Sequence, residues 1–168
     1  YAFLYTVDPQ SEVARCHPDW VLGGSTLDLS RPEVVDHLVA QLDAFQARWG
    51  DFEWRNDSTP TSPRDGDDTP LLGQDAGLRA VLRRFLDRHP GCAFQAVNGG
   101  GNNAGYDYAR YASTVSFSDG AVGVIRNHWA SLLLPPDKTS DIPDVWNPND
   151  FSKAAWRGLL CINFDMTG

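Results

Sequence analysis

The feature that most constrains this chain is the order of its segments: short apolar runs alternate with long amphipathic ones. "YAFLYTV", "DFEWRND", "CAFQAV", "STVSFSD" and "CINFDM" are rich in aromatic and branched residues and read as strands. Between the first two lies "LDLSRPEVVDHLVAQLDAFQARWG". Ser30 and Glu33 have the spacing of a capping box, Pro32 suits a first helical turn, and Val34, Leu38, Leu42 and Phe45 recur on one face. Gly50 is placed to stop this helix. "DAGLRAVLRRFLDRH" reads as a second helix, with Asp75 as a cap, an apolar stripe of Leu78, Leu82, Phe85 and Leu86, and a solvated face of Arg79, Arg83, Arg84 and Arg88. "AVGVIRNHWASLLL" and "DFSKAAWRGLL" complete the helical set, and "PDVW" fits either a strand or a turn. Such alternation implies a parallel sheet with helices outside, closed into a barrel or left open and doubly wound. In both, function collects at the C-terminal ends of the strands.

The 168 residues suffice for one domain with a substantial core, and neither an internal repeat nor a linker divides them. The chain starts at Tyr1 and its only methionine is Met166, which reads as a fragment or a processed chain. A formal net charge of −8 without a basic tract argues against nucleic acid as a partner. No apolar run approaches the roughly 20 residues of a bilayer span, so no membrane partner is expected. Cys16, Cys92 and Cys161 are scattered and odd in number, and His17, His37, His89 and His128 form no metal-like spacing. No metal or organic cofactor is expected.

Polar residues follow the predicted strands repeatedly: Arg55, Asn56 and Asp57, then Asn98 with Gly99, Gly100 and Gly101, then Ser118 and Asp119. Asp57 and Asp119 are the leading chemical pair. Breaking a glycosidic bond takes one carboxylic acid to protonate the leaving oxygen and one carboxylate to attack carbon or activate water. The run "NGGG" can cradle phosphate, let a backbone approach a sugar ring, or simply turn the chain. It lacks the spacing of a nucleotide loop, and Ser118 lacks a nucleophile elbow. Tyr5, Trp54, Tyr106, Tyr108, Phe117 and Trp129 lie near these segments, and aromatic faces stack on sugars as well as filling cores. The loop "STPTSPRDGDDTPLLGQ" is long for a compact domain.

The segment "VDPQSEVARCHPDWVL", followed closely by "LDLSRPEVVDHL", resembles the α-galactosidases of glycoside hydrolase family 36, with their V-x-P-x-S-x-L-Y-x-x-H-P-D-W and L-D-L-S-R-P-E-V. "NGGG" resembles the family's C-A-S-G-G-G, "YASTVSFSD" its Y-F-P-Q-V-W-T-S-D, and "SLLLPP" its S-L-A-Y-P-P. The resemblance implies a (β/α)8 TIM barrel, here partial, running from about the third strand to the eighth across residues 1–168. It implies a retaining mechanism in which Asp57 is the nucleophile and Asp119 the acid/base. It sets "WRND" against I-K-W-D, so Arg55 replaces a sugar-binding lysine and Asn56 replaces tryptophan. Substrate contacts are then expected from Arg55, Asn56, Trp54, Tyr5, Asn98, Gly99, Gly100, Gly101 and Asn102. Several family positions that touch galactose differ: "YAFLYTV" lacks both glutamates of W-F-E-P-E-M, Ala96 stands for cysteine and Asn102 for arginine. Arg for Lys suits a different hydroxyl pattern or a carboxylated sugar.

The expected protein is a glycosidase acting on a terminal α-linked sugar, with a carboxylate separation of about 5–5.5 Å. A carbohydrate-binding barrel that has lost catalysis is the alternative. A phosphate-using aldolase ranks third, because Lys138 and Lys153, the only lysines, lie off the predicted strand ends. As a partial barrel, the 168-residue chain is expected to be poorly stable alone.

Overall fold

The computed structural model describes residues 7–23, 26–56, 70–97, 106–116, 130, 132–135 and 138–140. The chain divides into two compact units, Tyr1–Ala93 and Phe94–Gly168.

In the first unit a short helix α1, Glu12–Cys16, is capped by Ser11, whose Oγ accepts from the Ala14 amide at 3.2 Å. A 3-10 turn follows at Pro18–Trp20, and β1 (Val21–Leu22) pairs antiparallel with β2 (Thr26–Leu27). The sequence reading took this stretch as a polar connection. Elements of five residues or fewer are too short to show a period. The hairpin leads into α2, Pro32–Trp49, which buries Val34, Val35, Leu38, Val39 and Leu42. Phe45 is 36% exposed and sits at the edge of that stripe, with its ring 5.9 Å from that of Phe52. Gly50 ends the helix as expected, at φ 79°, where a side chain would be strained.

The capping box does not form. The α2 cap is Arg31, and the Ser30 hydroxyl instead donates to the Asp28 carboxylate, which also accepts from the Ser30 amide at 3.1 Å. The helix begins one residue later than that reading requires, so Ser30 and Glu33 do not stand at the cap and the third helical position. Arg31 then bridges Asp19 (2.9 Å) and Glu33 (2.8 Å), tying "HPDW" to the start of α2. The Glu33 carboxyl is held below its usual range, first by a backbone hydrogen bond and then by Arg31. His17 stacks on Trp20 at 3.9 Å, and Trp20 meets His37 at 5.4 Å.

Burial, and then repulsion from His17, lowers the His37 pKa from its ordinary 6.5. As pH falls, the unfolded chain takes up this proton before the folded one does. The stability contribution is therefore intact above about pH 6.5 and declines as pH drops towards the lower folded value. In urea unfolding between about pH 7 and 5, His37→Phe should lose stability less steeply than the wild type. Equal slopes would remove His37 from the acid response.

The second long helix, α3, spans Pro70–Arg88. It starts before the expected cap, because proline is well tolerated in a first turn. Asp75 lies inside it and pairs with Arg79 at 2.7 Å. Leu78, Val81, Leu82 and Phe85 are buried. The arginine face is only partly solvated: Arg84 pairs with Asp36 at 2.7 Å and Arg88 with Asp43 at 2.8 Å, both on α2. His89 also meets Asp43, at 2.9 Å. Such exposed pairs contribute about 0–1 kcal/mol each, so they fix helix register more than they stabilise.

Helix α3 also grips the chain after β2. The Gln74 carboxamide accepts from the Leu29 amide at 2.5 Å and donates to the Leu27 carbonyl at 3.0 Å. Gly73 and Gly77 flank it: a Cβ at Gly73 would come within 2.6 Å of the Ser30 Cβ, and one at Gly77 would collide with the Leu29 carbonyl. Helix propensity alone makes Gly77→Ala stabilising by about 1 kcal/mol. The collision is with backbone, which yields little, and overpacking costs about 1–3 kcal/mol. Gly77→Ala should therefore lower the urea midpoint, and a raised midpoint would refute this packing.

Strand β3, Glu53–Asn56, follows α2, and β4, Ala93–Ala96, follows α3. In the second unit β4 pairs parallel with β5 (Thr114–Ser116), and β5 pairs parallel with β6 (Thr139–Ser140). The expected parallel arrangement is present in these three strands. A one-turn helix α4, Tyr106–Ala109, and strand β6 are additions to the sequence reading. Of the segment read as a helix at 121–134, Ala130 is helical and the chain turns after it, the Leu133 and Leu134 amides both bonding the Ala130 carbonyl, while 121–129 and 131 lie outside the described residues. The strands read in "YAFLYTV" and "CINFDM", the "PDVW" segment and the helix in "DFSKAAWRGLL" lie outside the described residues, Val7 apart.

Candidate functional site at the strand ends

Of the expected site residues, Trp54, Arg55 and Asn56 are described; Tyr5, Asp57, Asn98, Gly99, Gly100, Gly101, Asn102 and Asp119 lie outside the described residues. All three described residues belong to β3, whose burial alternates: Glu53 and Arg55 half-buried, Trp54 and Asn56 each 1% exposed. Alternate residues of a strand share a face. Trp54 and Asn56 therefore share one face with the parity of Phe52, whose ring lies 5.6 Å from Phe85 of α3 and 5.9 Å from Phe45 of α2. Arg55 lies on the opposite, more open face. The strand thus separates residues that the sequence reading grouped as sugar contacts. Trp54 is buried on its face of the strand.

Asn56 is unusual in that core. Neither its Oδ1 nor its Nδ2 has a hydrogen-bond partner. An unsatisfied buried polar group costs about 1–3 kcal/mol, so a carboxamide here is a poor choice for packing alone. At the base of the same strand the Phe52 carbonyl accepts from the Ala93 amide at 3.0 Å, and the Cys92 thiol, raised in pKa mainly by burial, faces Asp51.

In the second unit the strand faces divide by chemistry. Phe94, Ala96 and Val115, all at most 1% exposed, occupy one face. Gln95 and Thr114 are register partners on the other, and the Gln95 carboxamide donates to Thr114 Oγ1 at 3.2 Å. Ser116, two residues further along β5, shares that polar face; it is 1% exposed and its Oγ has no partner. Sequence reasoning passed over Gln95, Thr114 and Ser116. The available signal was substitution: in the resembled motif the position of Ser116 carries tryptophan, as does that of Asn56. Lys138 precedes β6, and its ammonium donates to the Ala112 carbonyl at 2.7 Å, just before β5. It sits at the N-terminal end of the parallel strands, the wrong end for the Schiff base of an aldolase. Among the described residues no group of three or more His, Cys, Asp or Glu is placed to hold a metal, and no helix is long and apolar enough to cross a membrane.

The fold is similar to that of glycoside hydrolase family 36 α-galactosidases. The chain superimposes on the α-galactosidase AgaA of Geobacillus stearothermophilus, in a complex with stachyose, with a TM-score of 0.75 at 20% identity, over 97% of this chain and 27% of that one. AgaB of the same organism matches at a TM-score of 0.67 and 22% identity, over 85% of this chain and 23% of that one. An α-galactosidase from Lactobacillus brevis matches at 0.69 and 18% identity, over 96% and 26%. The family resemblance read from the motifs is thus matched by the fold, and the chain spans about a quarter of the length of these enzymes. No protein-family model matches the chain, and no curated protein matches it by sequence.

Proposed function

We propose that this chain is part of the catalytic (β/α)8 barrel of a retaining glycoside hydrolase acting on terminal α-linked sugars. The observation that carries the reading is the fold likeness over 97% of the chain to α-galactosidases. Two of those structures hold oligosaccharides, stachyose and raffinose, in variants with an aspartate replaced. In this reading Asp57 attacks the anomeric carbon and Asp119 protonates the leaving oxygen, then deprotonates the incoming water. Arg55 binds a sugar hydroxyl from the open face of β3. Tyr5, Asn98, the Gly99–Gly101 backbone and Asn102 supply the remaining contacts.

The number of sugar-contacting positions at which this chain departs from the resembled motifs favours a second reading, a sugar-binding barrel without turnover. The full chain, assayed against aryl α-glycosides, separates the two. Release of the aryl group supports the hydrolase, and sugar binding without release supports the silent barrel.

A further inference from the structure

At the C-terminal end of β5, Ser116 is 1% exposed with a hydroxyl that bonds nothing. A hydroxyl both donates and accepts, so leaving it dry in a core forfeits about 1–3 kcal/mol that alanine would recover. Beside it, Gln95 is 5% exposed and commits a carboxamide hydrogen to Thr114 Oγ1 at 3.2 Å. Thr114 and Ser116 are two residues apart on one strand, so their hydroxyls step about 7 Å along the same face towards the strand end. The adjoining face, with Phe94, Ala96 and Val115, is fully apolar, so the polar row is not a general property of these strands.

We propose that Ser116 is a sugar-binding residue: its hydroxyl exchanges a hydrogen bond with a hydroxyl of a neutral pyranoside, and Gln95 holds Thr114 as the polar floor beside it. The proposal rests on the glycoside reading above. The chemistry points to a neutral polar ligand, because Gln95, Thr114 and Ser116 bring hydroxyls and a carboxamide and no charge, whereas an anion calls for a cation or a helix N-terminus. A sugar hydroxyl matches the dual donor and acceptor character of the serine.

The test uses the full chain and calorimetric titration with the methyl α-pyranosides of galactose, glucose and mannose, and the monodeoxy forms of whichever binds. Ser116→Ala should raise Kd for that sugar about fivefold, the equivalent of one neutral hydrogen bond of about 1 kcal/mol. Ser116→Cys, which keeps a side chain there but donates weakly, should also weaken binding. One monodeoxy sugar should bind wild type and Ser116→Ala equally, since its missing hydroxyl is the partner. The ligand-free Tm of Ser116→Ala should be no lower than that of wild type. Unchanged Kd for the parent sugar, or a lower ligand-free Tm, overturns the role of Ser116 while the glycoside reading stands. Wild type binding none of the pyranosides defeats both.

Discussion

Replacing Asp57 with glycine should lower kcat on aryl α-glycosides by about 10³-fold or more, the scale on which nucleophile removal acts in covalent catalysis. The argument is chemical. In the proposed double displacement the Asp57 carboxylate would form a bond to the anomeric carbon as the bond to the leaving oxygen breaks, and Asp119 would give that oxygen its proton. On that proposal, no covalent glycosyl-enzyme would form without Asp57. Glycine leaves a space that a small anion can enter, so azide should restore aryl release and yield a glycosyl azide of inverted, β, configuration, with a new carbon–nitrogen bond in place of the carbon–oxygen bond. The matching Asp119 variant should differ in kind. An activated aryl leaving group needs little protonation, so its release should fall less than that of an alkyl glycoside. Activity retained in both aspartate variants would discard this assignment, and a wild type that binds sugar without turning it over would leave the silent barrel.

The two helices that carry the first unit were legible because each shows a helical apolar period for several turns: Val34, Leu38 and Leu42 in one, Leu78, Leu82 and Phe85 in the other, all of them buried. Strands β3, β4 and β5 were legible from their aromatic and branched residues. What escaped was of two kinds. The first is elements without a period, namely α1, the β1–β2 hairpin, α4 and the two-residue strand β6, which lies in a stretch of Pro, Asp, Lys, Thr and Ser that reads as a turn. The second is the exact start of a helix: Ser30 and Glu33 have the spacing of a capping box, yet α2 begins one residue later with Arg31 as its cap. The candidate site divides the same way. Motif order points to the strand ends, and the period of two adds that Arg55 lies on one face of β3 and Trp54 and Asn56 on the other. Ser116 escaped although the resembled motif carries tryptophan at its position, because that substitution gains meaning only beside its burial and its unpaired hydroxyl.

The largest loss of stability should come from Phe85→Ala. Phe85 is 0% exposed, with its ring 5.6 Å from Phe52 and 4.9 Å from His89. Truncating a buried phenylalanine costs about 3–5 kcal/mol, and a domain has only about 5–15 kcal/mol in total. Position adds to this, because Phe52 directly precedes β3 and its carbonyl receives the Ala93 amide at the start of β4. The ring therefore packs α3 against the root of β3, and its removal should loosen that root. In urea unfolding of the full chain Phe85→Ala should lose about 3–5 kcal/mol, while Phe85→Leu, closer in volume, should lose less. The two kinds of variant then separate by temperature. Cooled until it is folded, Phe85→Ala should recover turnover, since nothing at the strand tips has been removed, whereas the Asp57 variants should stay inactive at every temperature. A loss below about 1 kcal/mol would mean that the α3 contact does not anchor that strand. A Phe85→Ala protein that is folded yet inactive would mean that the anchor sets the geometry of the tips as well as their stability.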